Sequence, residues 1–152
     1  HVEYYLLDGT KMLSQGMAFS LQGQFSLDMP QKSFKVRAQA AYGEKFFNYP
    51  LFDNRDYTYY KSFALRNSGN DNVWTRVADA VQTSLVDKYL NQDVLITLDW
   101  RPVAVYLNGQ YWGHYNLRER KDRLQRRRPP AKRTSFWRQR IRDGCSNRRA
   151  RA

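Results

Sequence analysis

Apolar and polar residues alternate most regularly at two places in the chain. Ser33 to Ala41 sets Phe34, Val36 and Ala38 against Lys35, Arg37 and Gln39, the period of two that a half-buried strand requires. Val103 to Leu107 is a β-branched and aromatic run, and Tyr111 to Leu117 is a second aromatic-rich run. Between them Asn108-Gly109 supplies the two residues that accept positive φ at the centre of a type I′ turn. A β-hairpin follows from that chemistry. Val2 to Leu7 before Asp8-Gly9, Met17 to Phe25 punctuated by Gly16 and Gly23, and Tyr60 to Leu65 after the loop signals Tyr49-Pro50 and Asp53-Asn54 read as further strands. From Val73 to about Leu90 the period becomes helical, with Val77, Ala80, Val81 and Leu85 in an apolar stripe and Asp71 or Asn72 placed to cap the start. Val94 to Leu98 is a candidate short strand ahead of the hairpin. Several antiparallel strands, one helix and two more strands predict an α+β fold with the helix packed on a sheet.

Length and charge refine this picture. At 152 residues the chain has room for one core. It has no run of 18 apolar residues, so no membrane span is expected. The net charge of +12 suggests a polyanion partner until it is located. Residues 1–120 hold 13 Lys+Arg against 12 Asp+Glu, whereas residues 121–152 hold 13 against 2. Of the 23 aromatic residues, only Phe136 and Trp137 fall in that second segment. The composition changes near Asp122 to Leu124, which divides the chain into a body, 1–122, and an Arg-rich tail, 123–152.

A stretch such as RLQRRRPPAKRT buries too little apolar surface to offset the entropy of ordering it, so the tail is expected to be disordered. It is a basic arm for nucleic acid, a solvated tail, or the translation of a shifted reading frame. The abruptness of the change favours the last. Nucleic acid is then a partner only non-specifically, through the tail. The single cysteine, Cys145, allows no disulfide framework and no cysteine-based zinc site. The two histidines, His1 and His114, are too few and too far apart for a His-rich metal cluster. His114 reads as a packing or surface residue of its strand.

Four segments resemble the CotH kinase family, the atypical kinases of spore coats, in the family's order and spacing. They are PQKSFKVRAQAAYG from Pro30, YPLF from Tyr49, KSFALRNSGND from Lys61 and RPVAVYLNGQYWGHYNLRERKD from Arg101. The wording is most similar to secreted or cell-surface members from clostridia-like bacteria. The tail beyond Arg123 does not resemble the family. The resemblance implies a protein-kinase-like N-lobe: an antiparallel sheet with one main helix, leading to a hinge and lacking the C-lobe. It implies transfer of the ATP γ-phosphoryl group, with Mg2+ or Mn2+, to Ser or Thr of a spore-coat, secreted or cell-surface protein.

Within that frame, Lys32 at the head of its strand is the candidate for neutralising nucleotide phosphates, with Lys35 and Arg37 as alternates. Asp79 is the candidate helix carboxylate to orient it, Asp87 being the other one available. Arg66 and Asn70 in LRNSGND, and Arg118 and Glu119 where a hinge follows the hairpin, are further candidates for contact with the nucleotide. The family's catalytic and metal-holding aspartates lie in the C-lobe. Only Asp122 and Asp143 follow the hairpin here, so no catalytic and no metal-ligating residue is assigned and the polypeptide is expected to be inactive. The competing expectation is a non-catalytic surface or spore-coat module that binds protein or carbohydrate through Tyr57, Tyr59, Tyr60, Tyr111, Trp112 and Tyr115.

Overall fold

The structure, a computed structural model, describes residues 1–55, 57–89 and 97–120. The expectations for Val94 to Ile96, for the helix end at Leu90 and for the tail lie outside the described residues.

The chain opens with a hairpin of strands β1 (Val2–Tyr5) and β2 (Lys11–Gln15). A five-stranded antiparallel sheet follows, built from β3 (Ala18–Gln22), β4 (Ser33–Arg37), β7 (Ser62–Arg66), β8 (Trp100–Leu107) and β9 (Gln110–Glu119), in the spatial order β3-β4-β7-β9-β8. Between β4 and β7 the chain makes a small excursion with its own two-residue pair, β5 (Phe47–Asn48) and β6 (Tyr59–Tyr60). The main helix, α1 (Ala78–Tyr89), lies between β7 and β8 in sequence. The α+β class and the antiparallel sheet with one main helix are as expected from the sequence.

The hairpin forms for the reason its turn predicts: Asn108 and Gly109 have φ of 51° and 81°. It is longer than the apolar runs suggest, because β8 extends back to Trp100 and β9 forward to Glu119. In β4 the alternation holds, with Phe34 and Val36 buried, and Ala38 buried just beyond it. Cross-strand pairing carries that pattern through the sheet: Val36 lies opposite Phe63, Phe34 opposite Leu65, and Leu65 opposite Leu117. One face of the sheet is therefore apolar across three strands.

The core sits on that face. Val36, Phe63 and Leu117 pack against Phe47, Leu51, Phe52 and Tyr60 of the excursion and against Leu13 of the first hairpin. A second cluster of Phe34, Val105 and Tyr115 continues it. The helix occupies the opposite face, where Trp100 Nε1 donates to Ser84 Oγ at 2.7 Å and Arg118 Nη2 donates to Thr83 Oγ1 at 3.4 Å.

Two sequence expectations about the helix are corrected. It begins at Ala78 rather than Val73, because the Asp71 carboxylate accepts the N–H groups of both Thr75 and Ala78 while Arg76 takes a positive φ of 62°. That arrangement turns residues 72–77 back on themselves before helical geometry starts. The stripe does not face a core either. Ala80 is buried, but Val81 and Leu85 are 44% and 49% exposed. The sheet face beneath the helix is lined by Arg66, Asn116 and Arg118, which leaves close packing only for a small side chain. No helix among the described residues is long and apolar enough to cross a membrane.

Candidate functional site

The polar chemistry of this molecule concentrates on the helix-bearing face of the sheet. Arg66 ends β7 and pairs with Asn116; two positions back, Ala64 pairs with Arg118, so both arginines emerge on one face of adjacent strands. Asp79, in the first turn of α1, meets both. Arg66 Nε is 3.1 Å from Asp79 Oδ2, and Arg118 Nη1 is 3.5 Å from Asp79 Oδ1.

The loop before the helix fixes this meeting. Ser68 Oγ and Asn116 Nδ2 both donate to the Arg76 carbonyl, and Asn116 also donates to Ser68 Oγ at 2.9 Å. Arg76 in turn donates through Nε to the Asn72 carbonyl and through Nη1 to Gln31 Oε1. A buried amide on β9 thereby holds the residue that launches α1, and α1 carries Asp79 to the two arginines.

Two guanidiniums converge on one carboxylate, so the cluster has one positive charge in excess. Arg118 has the more buried head: its side chain is 13% exposed, against 44% for Arg66. Burial pulls the Arg118 guanidinium below its ordinary pKa; Asp79 opposes this and the neighbouring Arg66 adds to it. A guanidinium stays protonated regardless, so the burial persists as a poorly solvated positive charge. Arg118 Nη1 and Asp79 Oδ1 are both buried without a hydrogen-bond partner. Lys35 lies opposite Ala64 on the same face and adds a further cation. Two planar forks of donors that share one carboxylate, with positive charge in excess, suit an anion with several oxygens, a phosphate above all.

The candidates from the sequence divide accordingly. Arg66 and Arg118 come together at Asp79. Lys32 stands just before β4, and its Nζ donates to the Leu27 carbonyl. Asn70 is exposed in the short 3₁₀ turn Gly69–Asp71. Glu119 lies opposite Phe63, on the apolar side of the sheet, away from the arginine pair. Of the alternates, Lys35 is half-buried and Arg37 exposed, both on the helix-bearing side of β4.

Glu119 belongs to a second network. Its Oε2 accepts from Arg55 Nε at 2.9 Å and from the Asp99 N–H at 3.1 Å, its Oε1 accepts from the Tyr57 hydroxyl, and its own N–H donates to the Asp99 carbonyl. Arg55 Nη2 also donates to the Thr97 carbonyl at 2.7 Å. Burial and the Glu119 carboxylate push the Tyr57 phenol far up. These bonds tie the excursion to the end of the hairpin. Sequence reasoning missed Arg55, which sits in an irregular loop where periodicity carries no signal.

Asp99 is pushed above the ordinary carboxylate range by burial, against the Trp100 N–H, the nearby Arg55 and two bonds from Asn54. A carboxyl group with a raised folded pKa holds its proton more tightly folded than unfolded. Its stabilising contribution is complete below the unfolded value of about 4 and is lost as pH rises through the folded value. Urea midpoints of the native chain and of Asp99→Asn, compared at about pH 4 and about pH 7, should therefore shift in the variant's favour at the higher pH. The same difference at both pH values would contradict a buried charge.

The aromatic recognition face expected as an alternative is largely dispersed. Tyr60 and Tyr115 are in the core and Tyr57 is turned toward Glu119, which leaves Tyr59, Tyr111 and Trp112 exposed. His114 is half-buried and its carbonyl accepts from Gln31 Nε2 at 2.9 Å.

A family model described as CotH kinase protein matches residues 19–137, which takes in the whole five-stranded sheet apart from Ala18, the helix and both arginines, and runs past Arg123 into the segment that the sequence reading set outside the family. No curated protein and no solved structure matches the chain. The match covers most of the chain, and the protein belongs to the CotH kinase family.

Proposed function

We propose that the described sheet and helix form a protein-kinase-like N-lobe whose Arg66–Asp79–Arg118 cluster holds the phosphates of ATP. The observation that carries this reading is the cluster itself. In protein kinases a cation on the third strand pairs with a carboxylate on the following helix and neutralises nucleotide phosphates. In this sheet the third strand in chain order, and the one that precedes the helix, is β7, which carries Arg66. Its partner on α1 is Asp79. The element order of three strands, helix and two strands is the one expected of such a lobe. On this reading Arg66 and Arg118 take the role that the sequence offered first to Lys32.

The donor set fits ATP through its phosphates. It offers a divalent ion nothing comparable: the described residues contain no group of three or more His, Cys, Asp or Glu able to hold a metal. When bound, ATP supplies the γ-phosphoryl group for transfer to Ser or Thr of a protein, which family membership supports and which we extend to a secreted or spore-coat substrate. The chain's own residues bind and orient the phosphates. Asp79 keeps the two guanidiniums at a fixed separation, and Thr83 fixes the second nitrogen of Arg118.

Thermal unfolding with added nucleotide tests this. At about 0.3 M salt, where screening confines contacts of the tail to a few ångströms, ATP should raise Tm by an amount equivalent to about 2.7 kcal/mol at a hundredfold excess over Kd. AMP should raise it far less. An equal shift from AMP, or from inorganic tripolyphosphate, would sink the nucleotide reading.

A further inference from the structure

The two edges of the five-stranded sheet are built differently. β8 carries Arg101 and Pro102, and a charge and a proline are both devices that keep an edge from pairing with another chain. β3 carries neither. It reads Ala18-Phe19-Ser20-Leu21-Gln22; its inner edge is bonded to β4 along its whole length, and no described backbone group bonds to its outer edge.

The side chains of β3 are also unusual for an unpaired edge. Phe19 and Leu21 are 42% and 58% exposed, although they share the apolar face with Val36 and Phe34. Phe19 is held in place by stacking on Phe34, with ring centroids 4.5 Å apart. Ser20 is exposed on the other face.

We propose that the outer edge of β3 pairs antiparallel with the same strand of a second copy, about a twofold axis at Ser20, joining two five-stranded sheets into one. The strand is self-complementary about that residue. An antiparallel pairing centred there sets Phe19 opposite the partner's Leu21, Leu21 opposite the partner's Phe19, and Ala18 opposite the partner's Gln22. All five residues are used and apolar meets apolar. Centring one residue to either side sets Ser20 against Ala18 or Gln22 and pairs only three of the five strand residues with one another. A twofold interface requires this kind of self-complementary patch. Each pairing covers the exposed flanks of Phe19 and Leu21 and continues the apolar strip from one core to the next.

Charge permits the approach. The strand carries none, and residues 1–120 are nearly balanced at 13 basic against 12 acidic. The opposing term is the segment 121–152, at 13 against 2 in each copy. That repulsion is long-ranged at low salt and weakens as the Debye length falls to about 8 Å near physiological ionic strength, so the association should strengthen with salt.

Sedimentation equilibrium of the full chain in about 0.3 M NaCl provides the test. The native chain should approach twice its 18.1 kDa mass at about 100 μM. Ser20→Lys and Ser20→Glu each set like charges across the axis and should weaken association at least about tenfold. An equimolar mixture of the two variants should restore it, because opposite charges then face each other. Ser20 is exposed, so both variants should melt as the native chain does, and either variant read by itself keeps the test decisive if the other does not. A native chain that stays at single-chain mass at every concentration overturns the proposal and would leave the edge to an extended segment of another protein. A dimer that survives both substitutions overturns it too.

Discussion

Glu119→Ala should lower the unfolding free energy by about 3–5 kcal/mol, the cost expected when one partner of a buried ion pair is removed. Glu119 is 5% exposed and its partner Arg55 15% exposed, so neither charge has water to fall back on. The substitution strands the Arg55 guanidinium, the Tyr57 hydroxyl and the Asp99 N–H together. Against a total stability of about 5–15 kcal/mol for a domain this size, that loss is a large fraction. The damage should also be asymmetric. Arg55→Leu combined with Glu119→Leu removes both charges of the pair and should be less destabilising than Glu119→Ala, although the Tyr57 hydroxyl and the Asp99 N–H still lack their acceptor and the buried Asp99 carboxyl loses its neighbouring cation. Urea denaturation of the single and double variants measures both terms. A loss below about 1 kcal/mol for Glu119→Ala would show that the network is solvated rather than buried.

The hairpin and β4 were legible because their information is local: an Asn-Gly turn with positive φ at both positions, and an alternation that any half-buried strand must show. The core face followed from the same alternation. What covers that face did not. Leu51 and Phe52 are buried although they lie between Tyr49-Pro50 and Asp53-Asn54, signals that correctly mark a loop but do not say that the loop folds back over the sheet.

The helix misled for a related reason. Val73, Trp74 and Val77 extend the apolar period of α1 toward its N-terminus, so pattern alone starts the helix too early. The Asp71 cap and the left-handed Arg76 decide the start, and only the second is invisible in the sequence. The stripe of Val81 and Leu85 suggested a face packed on a core. The structure spends the sheet surface beneath the helix on arginines and a buried asparagine, so the apolar stripe stays in solvent.

The ion pairs were the least legible. Asp79 joins arginines from two different strands, and Glu119 joins an arginine 64 positions away. Charged residues occur throughout residues 1–120, so no spacing rule distinguishes the pairs that meet. Sequence reasoning could name Arg66 and Arg118 as candidates and Asp79 as a helix carboxylate. Only the register of β7 with β9 brings the three together.

That register leads to the second large effect. Arg118→Met keeps the aliphatic stem packed beneath α1 but removes the fork of donors, and it should weaken ATP binding about ten- to a hundredfold, the worth of one or two hydrogen bonds to a charged group. Arg118→Lys should recover only part of the loss, since an ammonium cannot engage two phosphate oxygens in the plane that Thr83 and Asp79 impose on the guanidinium. Arg66→Met should cost less, because the Arg66 head is more exposed and its interaction with phosphate competes with water. Replacing Arg126, Arg127 and Arg128 with Met removes three charges from the tail and should change affinity less than about twofold at 0.3 M salt. Isothermal titration with ATP across these four variants separates the possibilities. If the tail substitutions lower affinity as much as Arg118→Met does, binding is general attraction to a basic chain, and the cluster on Asp79 is a structural ion pair that ties α1 to the sheet.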